Sequence, residues 1–288
     1  MDIFRKKRSI CIRGVLYDLI EPVVMGIVNL TPDSFYDGGR YNDSDAVVRH
    51  VGEMINEGAG IVDIGAVSTR PGSVPVSEYD ELKRLSEVLN FVRDRYPDMI
   101  VSIDTFRSGV AERMVNEYGA DIINDISSGT MDDKMPETIA RLGVPFIAMH
   151  MQGTPQTMHK DPKYDDVVND IIRYFSARIR KLRSLGVKDI IVDPGIGFGK
   201  TIEHNYKIAG RLQEFAMLDL PVLVGFSRKS MIYKTLQVTP VEALAGTIAL
   251  NAIAVIKGAD ILRVHDVKEA VDTVRIVRKV MDSTVVNR

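Results

Sequence analysis

The chain has 288 residues, 45% of them hydrophobic and 26% charged, with a net charge of −2. That balance belongs to an ordinary globular chain, at the upper size for one domain, and it lacks the surplus of cations that non-specific nucleic-acid binding needs. Cys11 is the single cysteine, so no disulfide framework exists; no run approaches the ~18 apolar residues of a membrane span, and the basic start MDIFRKKRSICIRG leads into no apolar stretch of signal-peptide length, so a cytoplasmic chain is expected.

The first patterned segment is SICIRGVLYDL (9–19), which alternates around Gly14 and predicts a β-hairpin. Eight short runs rich in Val and Ile follow, at 23–29, 60–65, 100–104, 121–125, 145–150, 189–193, 221–225 and 260–266. None alternates cleanly, as expected of parallel strands buried on both faces. Helical patterns lie between them, at 43–57, 77–95, 106–118, 132–142, 165–185, 203–213, 239–257 and 267–281. In 165–185 the residues Val168, Ile171, Ile172, Phe175, Ile179 and Leu182 step by three and four onto one face. Segment 77–95 opens with Ser77 and Asp80 at capping-box spacing. TPVE (239–242) sets Thr239 as N-cap, Pro240 at the first helical position and Glu242 three residues after the cap. Eight strand–helix units predict an α/β fold, a (β/α)8 barrel in a single domain spanning 1–288, with residues 1–20 as a hairpin extension plugging its N-terminal end. An open doubly wound sheet is the alternative, and it usually has fewer strands.

DPGIGFGKT (193–201) resembles a phosphate-binding loop, but the glycine required five residues before Gly199 is replaced by Pro194, which has no N–H to offer. A P-loop ATPase is therefore disfavoured, and Asp193 needs another role. In a barrel the C-terminal strand ends carry the chemistry, and here they are polar: Asn29, Asp63, Asp104, Asn124, His150, Asp193, and Arg263 with His265. Any one of these could be a simple turn former; together on one face they predict a site. Asp104, Asn124 and Asp193 would suit a heterocycle with an amidine-like edge, such as a 2-amino-4-oxo pyrimidine ring. Ser227, Arg228, Lys229 and Ser230 stand at the start of a short helix, where anions are favoured, and Lys229 can reach Asp193. Arg263 and His265, two apart, share one strand face. Met149 is expected as apolar wall, and His150 has no assigned role. The loops 29–43 and 66–77 are long for connectors and read as lids, with Arg70 able to grip an anion. No zinc-type spacing and no G-x-S-x-G elbow occur. A magnesium ion would need little from the protein if a phosphorylated substrate supplied most ligands, and Asn29 could serve.

Taken together, MGIVNLTPDSFYDGG, VDIGAVSTRPG, SIDT, INDISSG, AMHMQGTP, DPGIGFGKT, GFSRKS and RVHDV, in that order across the whole barrel, resemble the dihydropteroate synthase family. The resemblance implies condensation of 6-hydroxymethyl-7,8-dihydropterin diphosphate with 4-aminobenzoate, giving 7,8-dihydropteroate and diphosphate. It implies that Asp104, Asn124, Asp193 and Lys229 grip the pterin, with Met149 and Phe198 as apolar contacts. Asn29 would ligate Mg²⁺, and Asn29, Thr69, Arg263 and His265 would hold the diphosphate. Phe35, Thr69, Arg70, Pro71, Ser227 and Lys229 would frame the aminobenzoate, where sulfonamides compete. Lys229, Arg263 and His265 would be catalytic, diphosphate leaving before the amine attacks, and a homodimer is implied. Two rivals remain: a methyltetrahydrofolate–corrinoid methyltransferase, which needs no diphosphate site, and a non-catalytic pterin-binding protein, which need not keep Asn29, Arg263 and His265.

Overall fold

The computed structural model describes residues 8–30, 42–67, 76–158 and 162–284. Ser9–Ile12 (β1) and Val15–Asp18 (β2) form an antiparallel hairpin. Eight strands then make one parallel sheet: Val23–Asn29 (β3), Ile61–Gly65 (β4), Ile100–Asp104 (β5), Ile122–Asp125 (β6), Phe146–Met149 (β7), Ile190–Asp193 (β8), Leu223–Val224 (β9) and Ile261–Val264 (β10). Their spatial order is β8-β7-β6-β5-β4-β3-β10-β9. A parallel bridge between Val192 and Val222 joins the two edges, so the sheet closes on itself as a barrel. Around it stand α1 (Asn42–Glu57), α2 (Glu78–Arg95), α3 (Ser108–Tyr118), α4 (Met135–Leu142), α5 (Val167–Ser184), α6 (Ile202–Gly210), α7 (Ser230–Leu236), α8 (Leu244–Ile256) and α9 (Val267–Thr284).

The inside of the barrel is layered, and the layering explains the strand sequences. Met25, Ile61, Ile122, Ile147, Ile191, Leu223 and Ile261, one from each of seven strands, form a closed apolar floor with Ile100 of β5 against it. The alternate residues, such as Val24, Val62, Val101, Ile123, Phe146 and Val192, belong to the outer core between sheet and helices. Both faces are buried, so apolar residues run on without alternation. Two residues above the floor the inward positions turn polar: Asp63, Ser102, Asn124, Asp193 and Arg263. Period-two geometry thus stacks a polar storey on an apolar one.

The hairpin seals the bottom as expected. Ile10, Ile12 and Leu19 complete the apolar floor. Arg13 grips Asp121 through Nε (2.7 Å) and Nη2 (3.1 Å), and Arg93 of α2 reaches the same carboxylate at 2.6 Å. The Cys11 N–H donates to Asp189 at 3.3 Å.

The Ser77 cap of α2 forms, its hydroxyl accepting from the Asp80 N–H at 3.1 Å. Two predicted helices are divided. The segment 203–213 is α6 followed by a 3-10 turn, Leu212–Leu218; its N-cap is Thr201, boxed with His204. The segment 239–257 begins as a 3-10 turn, Val241–Ala243, before α8. Thr239 donates its N–H and its hydroxyl to Glu242 at 3.0 and 2.7 Å, but the N-cap of this turn is Pro240, one residue later than expected, with no side-chain cap bond.

Candidate active site

The polar storey opens at the C-terminal ends of the strands. Parallel register sets Asp104 of β5 beside Asn124 of β6, and Met149 of β7 beside Asp193 of β8. Arg263 of β10 crosses the barrel interior: its Nε donates to Asp63 of β4 at 2.6 Å and its Nη2 to Asp104 at 2.9 Å. Asn124 donates through Nδ2 to the same Asp63 oxygen at 3.0 Å. Asp63 is completely buried. Burial works against the charge of Arg263, but Asp63 and Asp104 outweigh it and hold the guanidinium firmly protonated. Burial, resisted by Arg263 and reinforced by Asp63, lifts the Asp104 carboxyl to about 7.

Asp193 is pushed up by burial and drawn back by Lys229, by its bond from the Gly195 N–H (2.7 Å), and by Arg263 and Lys200. Lys229 donates to the carbonyl of Ile196, and its ammonium lies 5.1 Å from the Phe198 ring centroid. Burial brings its pKa down to about 8, with Asp193 opposing. The turn that presents Lys229 is under backbone strain: Arg228 has φ +53, in the left-handed region. Arg228 is held there by Asp266, at 3.0 Å from Nε and 2.6 Å from Nη2, and by Thr247, which accepts its N–H at 3.1 Å. At the neighbouring strand end the Ser227 hydroxyl accepts the His265 N–H (3.2 Å) and shares a 2.9 Å hydrogen bond with His265 Nδ1. The two bonds fix the orientation of the imidazole against Ser227 through its Nδ1 edge.

The glycine-rich loop after β8 packs instead of cradling phosphate. Gly195 has φ +70, and a Cβ there would collide with the His150 carbonyl. Lys200, the apparent phosphate lysine, is buried and directs its Nζ to His150 Nδ1 (3.0 Å), the His150 carbonyl (3.1 Å) and the Phe198 carbonyl (2.9 Å). Burial, then Lys200, lowers His150 to about 2. The ring is therefore a neutral acceptor, set edge-on to Tyr174 at 4.9 Å. His150 thus braces the wall behind Met149 and Phe198.

Asp104, Asn124, Asp193, Lys229, Arg263, Phe198 and Met149 converge around one barrel mouth, Ser227 and His265 form a pair at its rim, and Asn29 ends β3. Phe35, Thr69, Arg70 and Pro71 lie outside the described residues. Sequence reasoning placed Asp63 at a strand end without a role, and it missed Lys200 as a brace. The only available signal for Asp63 was its position two residues beyond a floor residue, the same offset as Asn124, Asp193 and Arg263.

Fold and site together define a pterin-binding barrel, with carboxylate and amide acceptors standing beside lysine and arginine cations at one mouth. The family model of the pterin-binding enzymes matches residues 25–265. The dihydropteroate synthase of Escherichia coli K12 is 45% identical over 273 residues, covering 94% of this chain and 96% of that one. The crystal structure of Yersinia pestis dihydropteroate synthase with a sulfonamide drug complex is 42% identical, with a TM-score of 0.89 over 95% of this chain and 99% of that one. The Xanthomonas albilineans dihydropteroate synthase with 4-aminobenzoic acid is 36% identical, with a TM-score of 0.88 over 95% and 98%. The chain belongs to the pterin-binding enzymes and, within them, to the dihydropteroate synthases.

Proposed function

We propose that this chain, as one domain, joins 6-hydroxymethyl-7,8-dihydropterin diphosphate to 4-aminobenzoate and releases diphosphate and 7,8-dihydropteroate. The observation that carries the reading is the single polar storey in which Asp104, Asn124 and Asp193 stand with Arg263 and Lys229. Acceptors hold the donor edge of the pterin, and Met149 and Phe198 give it apolar contact. Arg263 spends two of its five N–H donors on Asp63 and Asp104, leaving the others for an anion. His265, two residues further along, offers its imidazole with it, the Nδ1 edge held by Ser227.

The carbon–oxygen bond of the pterin methylene breaks with its electron pair leaving on the diphosphate. Arg263 and His265 receive that developing charge. The arylamine nitrogen then forms the carbon–nitrogen bond and gives up a proton; it is already a nucleophile and needs no strong base. Lys229 stands between the pterin and the aminobenzoate positions, and Ser227 serves the aminobenzoate carboxylate while orienting His265. Phe35, Thr69, Arg70 and Pro71 complete the aminobenzoate and diphosphate contacts. Sulfonamides compete with aminobenzoate there.

Asn29 offers one neutral oxygen at the end of β3, and the described residues contain no group of three or more His, Cys, Asp or Glu able to hold a metal. That donor set fits Mg²⁺ carried mainly by substrate phosphates and water, with Asn29 as its protein ligand. When bound, the ion supplies charge neutralisation of the diphosphate. A cytoplasmic location is part of the proposal, supported by the lone free thiol of Cys11.

The chain is further proposed to act as a homodimer. Ile253 and Ile256 of α8 and Ile276, Val280 and Met281 of α9 are exposed on neighbouring helices, and exposed apolar side chains grouped in this way mark association surfaces.

One incubation tests the activity: dihydropterin diphosphate, 4-aminobenzoate and Mg²⁺ with the purified chain, read by mass spectrometry. Dihydropteroate and free diphosphate in equal amounts are expected. Pterin binding without turnover would favour a non-catalytic binder and defeat the proposal.

A further inference from the structure

Asp63 stands apart from the residues expected to touch substrate. It is wholly buried, on β4, and one of its oxygens, Oδ2, accepts from both Arg263 Nε (2.6 Å) and Asn124 Nδ2 (3.0 Å). Its other oxygen, Oδ1, has no hydrogen-bond partner among the described residues. In the sheet order β6-β5-β4-β3-β10, β4 is midway between the strand of Asn124 and the strand of Arg263. One carboxylate therefore reaches both ways across the barrel.

The geometry has a chemical consequence. An amide has two faces, and donation from Nδ2 to Asp63 decides which face Asn124 turns inward and where its acceptor oxygen points. A guanidinium is planar, so two anchored N–H groups define the plane of the remaining three. Asp63 supplies one of those anchors and Asp104 the other. We propose that Asp63 is a positioning residue that couples the pterin half of the site to the diphosphate half, by orienting Asn124 and Arg263 through one shared oxygen. The inference rests on the functional reading above.

A simple counterion for Arg263 would influence diphosphate alone. A shared positioning residue influences both ligands, and its effect disappears when the residue it orients is already gone. Calorimetry on the full chain, wild type and Asp63→Asn, measures 6-hydroxymethylpterin and inorganic diphosphate with Mg²⁺ separately. Asp63→Asn is expected to weaken each ligand by about tenfold or more, a coupling within the usual range for residues in direct contact. In an Asn124→Ala background the same change should weaken the pterin little further. Wild-type affinity of Asp63→Asn for either ligand, or full additivity with Asn124→Ala, overturns the proposal. Should Asp63→Asn fail to fold, wild-type protein decides the matter by ¹⁵N resonance. Adding diphosphate and Mg²⁺ must then shift the Asn124 side-chain amide, assigned by its loss in Asn124→Ala, and an unmoved amide overturns the coupling. Wild-type protein that binds neither ligand defeats the functional reading, and this one with it.

Discussion

Asp193, the proposed pterin acceptor, is held in place from several sides. The Gly195 N–H fixes one of its oxygens at 2.7 Å, and three cations lie within electrostatic reach. Replacing it with alanine removes a charge-assisted contact and leaves Lys229 without its main counter-charge. Loss of pterin affinity by about 3 kcal/mol, roughly a hundredfold, is expected by calorimetry. Asp104 carries a different signature. With its carboxyl raised to about 7, it is partly protonated in the free protein at neutral pH. The proposed bond from a pterin N–H is strongest to the ionised form, so affinity for 6-hydroxymethylpterin should rise with pH up to about 8. Well below 7 it should fall by about tenfold per unit. Asp104→Asn should flatten the profile, and an unchanged slope would refute the assignment. The sign for stability is the reverse. A folded pKa above the unfolded value of about 3.9 makes the contribution of Asp104 full below that value and lost as pH rises through 7. At this scale the sequence was legible by type: an acid or amide ending an apolar run announced itself. Asp63 carried the same announcement without its purpose, and Lys200, inside the loop after β8, carried none, because purpose depended on neighbours far away in the chain.

The loop between β8 and α6 illustrates what an element can conceal. Its glycines suggested a phosphate cradle; they serve close packing. Gly195 and Gly199 both have positive φ, and a Cβ on Gly199 would lie 2.7 Å from the Gln152 carbonyl. Gly195→Ala combines a left-handed alanine with a backbone collision at His150. It should destabilise the fold by more than about 2 kcal/mol and weaken the pterin as Asp193 shifts, read by chemical denaturation and calorimetry on the same variant. A stable variant with normal affinity would show the loop to be more yielding than its packing implies. The turn after β9 is built on the same economy. Asp266 and Thr247 hold Arg228 in a conformation that the local sequence does not favour, and Lys229 is aimed as a result. Periodicity marked where most helices begin and end. It did not foresee the 3-10 turns at 212–218 and 241–243, since i+3 and i+4 patterns share the same apolar positions.

Across the whole molecule, the eight-strand barrel and its hairpin plug agree with the expectation from strand count. The exposed apolar residues of α8 and α9 are a demand that a single chain leaves unanswered. Light scattering should give twice the 32.1 kDa chain mass, and Ile276→Arg should shift it toward the monomer by placing a charge where an apolar contact is expected. A wild-type monomer at micromolar concentration would remove the dimer from the proposal. Among the described residues no single helix is long and apolar enough to cross a membrane, and the apolar character of α8 is divided between core and this outer face.

The sequence alone determined the alternation of strands and helices, the polar strand ends and the failure of the phosphate-loop spacing, because each of these is written in residues close together along the chain. The tertiary structure decided which polar groups meet. Arg263 and Asp63 are separated by 200 positions and bond at 2.6 Å. Pairing of β4 and β10 on the two sides of β3 brings such distant segments together, and hydrogen bonding responds to distance in space, to which local pattern is blind.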